Sequence, residues 1–581
     1  MASSEVPSSP YSCLDLVTFA FNGPFQNDQK PLYIDAEKSW RNLNGAQFKL
    51  LVRTLIAGLR AHNVRQGDCV LVHLQNNVIY PGLFLAIAGA GGVYMGSNPA
   101  CQPFDFEHII DLGEPRLIIT CRNALPTVLN VSTHKGIQRD RIFLFDESQI
   151  DSTIDYLHNP AETTLTPLRP NEDHQAKFGQ LLCHGQNDWV TLDEPTSKRT
   201  PAAMFSTSGT GGLPKAAVLS HHALISWHSA VHHESPYCAS RLIAIPMFHN
   251  FSAIWTHFFP IRYGHPLFIL PEFKLSSFLK AVSKHQVTET YLVPVMIHML
   301  NQSTAIAKNC LSSLRYVGVA GAPIDKQSMQ RFQDMLDDGA CAGQIWGMTE
   351  VGIVFQNRYC SALEQYDKGS IGRLLPGYEC RLVSHDNGSI IVDDDRAGEL
   401  EIKGSGLLMS YKGLNDAENN GGWFATGDMA MMKDGHYFIV GRTKELIKVR
   451  GWQVAPAELE AVLLKHPQIA DVAVIGVNLP DGSTEAPRAY VVLSSTGPRP
   501  TSQEVYEYAQ QQLSGYKALD GGVVIVDQIP RTASGKIQRF KLTNMNSLRD
   551  RMAALLQKHD ASNPGLSSGS CIVKIRTGGS S

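Results

Sequence analysis

Residues 205–222 read FSTSGTGGLPKAAVLSHH. The stretch lies between two apolar, strand-like runs, Ala202–Phe205 and Ala216–Leu219, which anchor both of its ends. Between them Ser206, Thr207, Ser208 and Thr210 supply hydroxyls, and Gly209, Gly211 and Gly212 let backbone N–H groups approach an anion closely. Lys215 adds a full positive charge. The stretch is not a Walker loop, because Lys215 is followed by Ala216 and not by Ser or Thr. Nor is it a dinucleotide fingerprint, since Pro214 occupies the last glycine position. Alone, it reads equally as a phosphate cradle or as a glycine-rich turn.

Outward from this loop, strand-like runs alternate with helical segments. DCVLVHL, RLIIT, RLIAIPMF, HPLFIL, TETYLVPV and LRYVGVAG are nearly continuous apolar stretches, as expected of strands covered on both faces. The fold class is therefore α/β, in layers. GQLLCHGQNDWVTLDEPTSKRTP, just before the loop, reads as a surface connection. MAMMKDGHYFIVGR reads as a hairpin turning at Asp434-Gly435. Beyond it the character changes. Pro456 opens an amphipathic helix running to about Lys465, with Glu458 and Glu460 near its positive end. Strands ADVAVIGV, RAYVVL and GGVVIV follow, with a helix opened by the capping box Thr501/Glu504. These make a small α+β carboxyl-terminal domain.

At 581 residues the chain exceeds one compact core, and 43% apolar with 18% charged residues fits a globular protein. A formal net charge of −3 without a long basic run excludes general nucleic-acid binding. The 11 cysteines are scattered with no C-x-x-C pair, which reads as reduced intracellular thiols. No basic region precedes an apolar core at the start, the chain ends KIRTGGSS, and the longest apolar run, Gly82–Gly96, is too short to span a bilayer. A cytoplasmic location without a membrane span is expected. His221, His222, His232 and His233 read as polar surface residues on or beside a helix.

Three further segments decide how the loop reads. GQIWGMTE (Gly343–Glu350) puts an aromatic ring, a hydroxyl and a carboxylate within five positions. GGWFATGDMA and the following VGRTKELIKVRGWQVAPAELE set Asp428 and Arg442 opposite each other across the expected hairpin. PRTASGKIQR sets Lys536 after a Ser-Gly pair. Together with the loop, these resemble the acyl-adenylate-forming superfamily of acyl- and aryl-CoA ligases, luciferases and peptide-synthetase adenylation domains. The likeness runs from about Pro31 to Phe540. It is closest to 4-coumarate–CoA ligase and luciferase-like enzymes through PMFHN, GMTE and KELIKVRGWQVAPAELE.

The resemblance implies a large amino-terminal domain over 1–442, made of two α/β subdomains and a β-rich subdomain. A small, mobile carboxyl-terminal domain follows over 443–560, with its hinge near Lys444, and 561–581 is expected to be a disordered tail. It also implies two steps: a carboxylate attacks the α-phosphate of ATP to give an acyl-adenylate, and the thiol of coenzyme A then displaces AMP. By the same resemblance Ser206 to Lys215 would hold the phosphates, and Thr210 and Glu350 would hold Mg²⁺. Trp346 stands where relatives carry a tyrosine whose ring lies on the adenine, in a nucleotide-binding run with Gln344, Gly347 and Thr349. Asp428, with Arg442 beside it, would accept from the ribose hydroxyls. Lys536 would bridge the substrate carboxylate and the α-phosphate. After rotation at Lys444, Lys448, Gly451 and Gln453 would face the adenylate and the thiol. His249, Ala320, Gly321, Ala322 and Ile345 would line the acyl pocket.

Two positions depart from the family. Gly211 replaces a second Thr or Ser, removing one hydroxyl from the phosphates, so weaker ATP affinity or slower adenylation is expected. Ile345 replaces the glycine of coumarate ligases and narrows the pocket, disfavouring a phenylpropenoid. An aliphatic or polyketide-derived acid, or a differently shaped aromatic acid, is expected instead. The leading expectation is an ATP-dependent acid–CoA ligase of specialised metabolism. Two alternatives stay open: an enzyme loading a carrier protein in trans, and a catalytically degenerate nucleotide- or acid-binding protein.

Overall fold

The computed structural model describes residues 15–25, 27–160, 176–207, 214–232, 234–359, 367–384, 387–414, 421–450, 452–479, 484–494, 497–532 and 535–545. Ser208, Gly209, Thr210, Gly211, Gly212, His233, Gly451, the side chain of Gln453 and the carboxyl-terminal tail lie outside the described residues.

Among the described residues two large sheets organise the amino-terminal part. The eight-stranded sheet has at its centre Cys69–His73, flanked by Val93–Gly96 and Leu117–Thr120, all parallel. Each of these strands is buried throughout, which is why their sequences show no polar alternation. Helix Tyr80–Ala90, buried along its whole length, feeds the strand Val93–Gly96. At one margin Pro201–Ser206 runs parallel to Val93–Gly96 and then pairs antiparallel with Ala216–Ser220. The phosphate-like loop is thus the connection of a hairpin at a sheet margin.

The nine-stranded sheet holds Tyr316–Val319 between Glu289–Leu292 and Cys341–Met348, in parallel register, so Gly318 faces Gly343 and Val319 faces Gln344. Both sheets share one continuous apolar core with the elements between them. A five-stranded antiparallel sheet follows, and in it Phe424–Lys433 and His436–Arg442 form the expected hairpin. Its turn residues Asp434 and Gly435 have φ of 51° and 73°, the left-handed pair that a two-residue hairpin turn requires.

The carboxyl-terminal part has cores of its own. Ile469–Asn478 pairs antiparallel with Glu485–Leu493, which pairs parallel with Gly522–Ile525. The capping box at Thr501/Glu504 is formed. Helix Pro456–Leu463 ends two residues earlier than the sequence indicates. Its two glutamates are engaged by cations as well as lying near the helix start: Glu458 by Lys517 and Glu460 by Arg539. No helix among the described residues is long and apolar enough to cross a membrane.

The expectation of a polar histidine surface fails at His221. It is buried at 3% exposure, and its Nδ1 accepts the N–H of Leu16, tying helix Leu16–Phe21 to the hairpin margin. Desolvation pushes it down to about 4, so it serves as a neutral acceptor.

Candidate active site

The hairpin Pro201–Ser206/Ala216–Ser220 is pinched where the loop leaves it. The N–H of Thr207 donates to the carbonyl of Lys215 at 2.8 Å, and the N–H of Lys215 donates back to the Thr207 hydroxyl at 3.3 Å. Thr207 is buried, whereas Ser206 is half-buried and Lys215 is exposed. The ammonium of Lys215 sits 4.6 Å from the ring centroid of Tyr411, on the short strand Ser410–Tyr411 that pairs with Ala216–Ser220. The hydroxyl of Tyr411 donates to Glu350 Oε1 at 3.0 Å. One tyrosine therefore touches both the cation at the mouth of the loop and the buried carboxylate of GMTE. Sequence reading missed Tyr411, because its short strand carries no motif that marks it.

The strand Cys341–Met348 delivers the second group of residues. Gln344 is fixed by donating its amide to the carbonyl of Lys368 at 2.7 Å. A register shift falls between Trp346 and Gly347. A Cβ at Gly347 would lie 2.2 Å from the carbonyl oxygen of Gly352, so the bulge tolerates glycine alone. Thr349 and Glu350 are buried just beyond it, and Asn250 holds the turn by donating to the carbonyl of Met348 at 3.2 Å.

Asp428 and Arg442 pair in register across their hairpin, with Oδ1 and Nε 2.9 Å apart. The other carboxylate oxygen accepts the indole N–H of Trp346 at 2.9 Å. The tryptophan that replaces the family tyrosine is thus pinned to the aspartate. Its ring stands edge-on to Phe355. Burial raises the pKa of Asp428, opposed by Arg442, the Trp346 bond and Lys536.

Lys536 comes from the carboxyl-terminal part on a turn braced by its own residues. Thr532 accepts the Lys536 N–H on its hydroxyl at 3.1 Å, and Arg531 donates to the carbonyl of Gly535 at 2.8 Å while pairing with Asp471 at 2.8 Å. Gly535 has φ of 83°, and a Cβ there would lie 3.3 Å from Val293 of the amino-terminal part. That close approach seats the half-buried Lys536 among Arg442, Glu350, Asp428 and Glu445. Burial, then Arg442, lowers its pKa, and the three carboxylates oppose the shift. His249, which caps helix Asn250–His257 by accepting the N–H of Phe251, also senses Lys536. Burial first, and then that cation, push His249 down to about 3, so it is a neutral ring at neutral pH.

Of the residues expected on the acyl side, Ile345 lies on the strand beside the one that leads into Ala320, Gly321 and Ala322. A Cβ on Gly318 would meet Ile345 Cδ1 and Tyr291 Cδ1, each at 2.7 Å. Ile345 and Ala320 are buried, and Gly321 has φ of 97° at the turn that carries Ala322 past them. Lys448, by contrast, is exposed in the small hairpin Ile447–Val449/Trp452–Val454, its N–H donating to Glu485. Lys444 is exposed on the single turn Thr443–Glu445. The structure therefore gathers Lys536, Asp428, Arg442, Glu350 and His249, and leaves Lys444 and Lys448 facing outward.

Two family models match: AMP-binding enzyme over residues 24–412, and AMP-binding enzyme C-terminal domain over 458–536. The chain belongs to the AMP-binding enzyme family. A nicotinic acid–CoA ligase of Penicillium canescens is 51% identical over 94% of this chain and 100% of its own. A nicotinic acid–CoA ligase of Aspergillus fumigatus is 47% identical over 94% of this chain and 99% of its own. An acyl-CoA ligase of Aspergillus oryzae is 48% identical over 93% and 99%. In fold, this AMP-binding enzyme is similar to an anthranilate CoA ligase in complex with anthranoyl-AMP, with a TM-score of 0.78 and 21% identity over 95% of this chain and 100% of that one. It is likewise similar to ATP-bound MatB from Rhodopseudomonas palustris, with a TM-score of 0.75 and 22% identity over 91% and 98%.

Proposed function

We propose that this AMP-forming acid–CoA ligase activates a single-ring aromatic acid of the nicotinic acid type. Acid–CoA ligation through an acyl-adenylate is the activity that its family and full-length relatives carry. The observation that carries the choice of acid is the packing at Gly318. Ile345 and Tyr291 both crowd the point beside Gly318, which supports a short acyl pocket and disfavours a phenylpropenoid side chain beyond one ring. The names of two relatives near 50% identity supply the same ring size.

In this reading the loop opened by Thr207 and closed by Lys215 holds the β- and γ-phosphates. Lys536 lies between the carboxylate and the α-phosphate, where two anionic groups must approach. His249, neutral and buried, borders the carboxylate without adding charge. Asp428, aligned by Arg442 and Trp346, takes the ribose hydroxyls. Glu350 fits the task of holding Mg²⁺: a hard cation carried on nucleotide phosphates needs one or two protein carboxylates. Among the described residues no cluster of three or more metal-ligating side chains offers a separate protein cage. When bound, the cation would neutralise charge on the phosphates. A swing near Lys444 would then replace Lys536 with the Lys448 hairpin for the thiol step. Nothing in the relatives supports a carrier protein in place of coenzyme A.

The test is pyrophosphate release from ATP against a panel of acids, with and without coenzyme A. Nicotinate or a close single-ring analogue is expected to give the highest kcat/KM, with thioester formed on adding coenzyme A. Preference for cinnamate-type or long-chain acids would overturn the assignment of the acid.

A further inference from the structure

The acyl end of the site holds one polar group that the proposed chemistry does not use. Helix Asn250–His257 starts at His249 and packs Phe251 and Trp255, one turn apart, against Tyr291. Trp255 is fully buried and stacks on the Tyr291 ring at 3.8 Å between centroids and 11° between planes. Tyr291 is in turn the ring that meets Gly318 beside Ile345, so Trp255 backs the wall at the far end of the acyl pocket. It lies six residues from His249, about 9 Å along the helix axis at 1.5 Å per residue. That is the reach of one carboxylate-bearing six-membered ring with contact at each end.

Polar neighbours of Trp255 on this helix are occupied. Asn250 donates to Met348, the Ser252 hydroxyl to Ile245, and the Thr256 hydroxyl to Ser252. Tyr291 is engaged by Arg241. His257, also without a partner on its Nε2, lies on another flank among Tyr80, Phe84 and Tyr94, away from the pocket wall. The indole N–H of Trp255 has no acceptor among the described residues. Indole nitrogen is a donor only, and a buried donor left unpaired is destabilising. An acceptor arriving with the substrate would satisfy it.

We propose that Trp255 is a specificity-determining residue of the acyl pocket, its N–H donating to the ring nitrogen of a pyridinecarboxylic acid. The inference rests on the assignment of a nicotinic acid-type substrate. A pyridine nitrogen is unprotonated at neutral pH and presents one in-plane lone pair, which matches a single fixed donor. Benzoate, of the same shape, leaves the donor buried and unpaired, and a site built to bond a substrate atom discriminates against an analogue lacking it.

The test is acid-dependent pyrophosphate release by the wild-type protein with nicotinate, isonicotinate and benzoate, repeated with Trp255→Phe. Wild type is expected to favour nicotinate over both others by on the order of 10- to 100-fold in kcat/KM. Trp255→Phe is expected to lose that preference by lowering the nicotinate value much more than the benzoate value. Equal use of the three acids by wild type overturns the role of Trp255 and leaves the single-ring assignment standing. An unchanged preference in a folded Trp255→Phe protein overturns it too. No release with any of the three overturns both readings. Should Trp255→Phe fail to fold, the wild-type series decides alone.

Discussion

Two carboxylate–arginine pairs among the described residues, Arg241–Glu289 and Asp428–Arg442, end differently. Arg241 and Glu289 lie at the starts of neighbouring parallel strands, 1% and 5% exposed, with Nε and Oε2 2.8 Å apart. The second oxygen of Glu289 accepts from Tyr237 at 3.0 Å, Arg241 also reaches His265, and its guanidinium rests on Phe259. Every charge there is answered by a fixed neighbour. Asp428 and Arg442 are as close, yet Arg442 is 30% exposed on its side chain and Lys536 arrives from another part of the chain. The first pair is closed on itself and serves the fold. The second is left partly open, where in the proposed function a nucleotide would bring its own charges.

The sharpest way to break this contrast is to remove one member of the closed pair. Glu289→Ala strands a buried guanidinium and is expected to cost about 3–5 kcal/mol of stability, read as a fall in the urea midpoint. The folded fraction should still activate acid. Lys536→Ala is the counterpart at the open pair. Adenylation is expected to slow by about 10²–10³-fold, or about 3–4 kcal/mol, with little change in melting temperature. A melting point lowered as far as that of Glu289→Ala would erase the distinction.

The pH dependence sharpens it further. The folded pKa of Lys536 lies below the ordinary lysine value of 10.5, so its ammonium is lost as pH rises through that lower value. Adenylation should therefore fall on the alkaline side before an ordinary lysine titrates, and Lys536→Arg should flatten that limb. The contribution to stability has the opposite sign: between the folded and unfolded values the unfolded chain binds more protons, so stability from this group rises with pH. Smallest is Tyr411→Phe, which removes the bond to Glu350. A loss of about 1 kcal/mol, roughly fivefold, is expected in kcat/KM for ATP, with acid affinity unchanged.

Much of this site was legible because its residues sit in contiguous motifs. Continuous apolar runs at Cys69–His73 and Tyr316–Val319 announced parallel strands, and Asp434-Gly435 announced the hairpin that sets Asp428 against Arg442. What stayed hidden depends on pairing between distant segments. Tyr411 reaches Glu350 only because its two-residue strand adds to the loop hairpin. Trp255 stacks on Tyr291, which lies on a strand of another segment. His221 is hidden in sequence by its neighbours, which make a pair of histidines look solvated, while the packing of Leu16 buries one. The identity of Ile345 is plain in the sequence, but not that it and Tyr291 crowd the same point beside Gly318.

Arg539 acts as a clasp between two segments. It binds Glu460 on the helix Pro456–Leu463 and Glu445 in the turn after Arg442. This clasp fastens the end of the connecting segment to the small domain, as a rivet fixes a strap to the part it carries. A swing of that domain would take Glu445 with it, and Arg442, paired to Asp428, would stay behind. In the proposed swing the free joint would be reduced to Thr443 and Lys444, a span so short that the small domain would turn on an axle rather than trail on a tether.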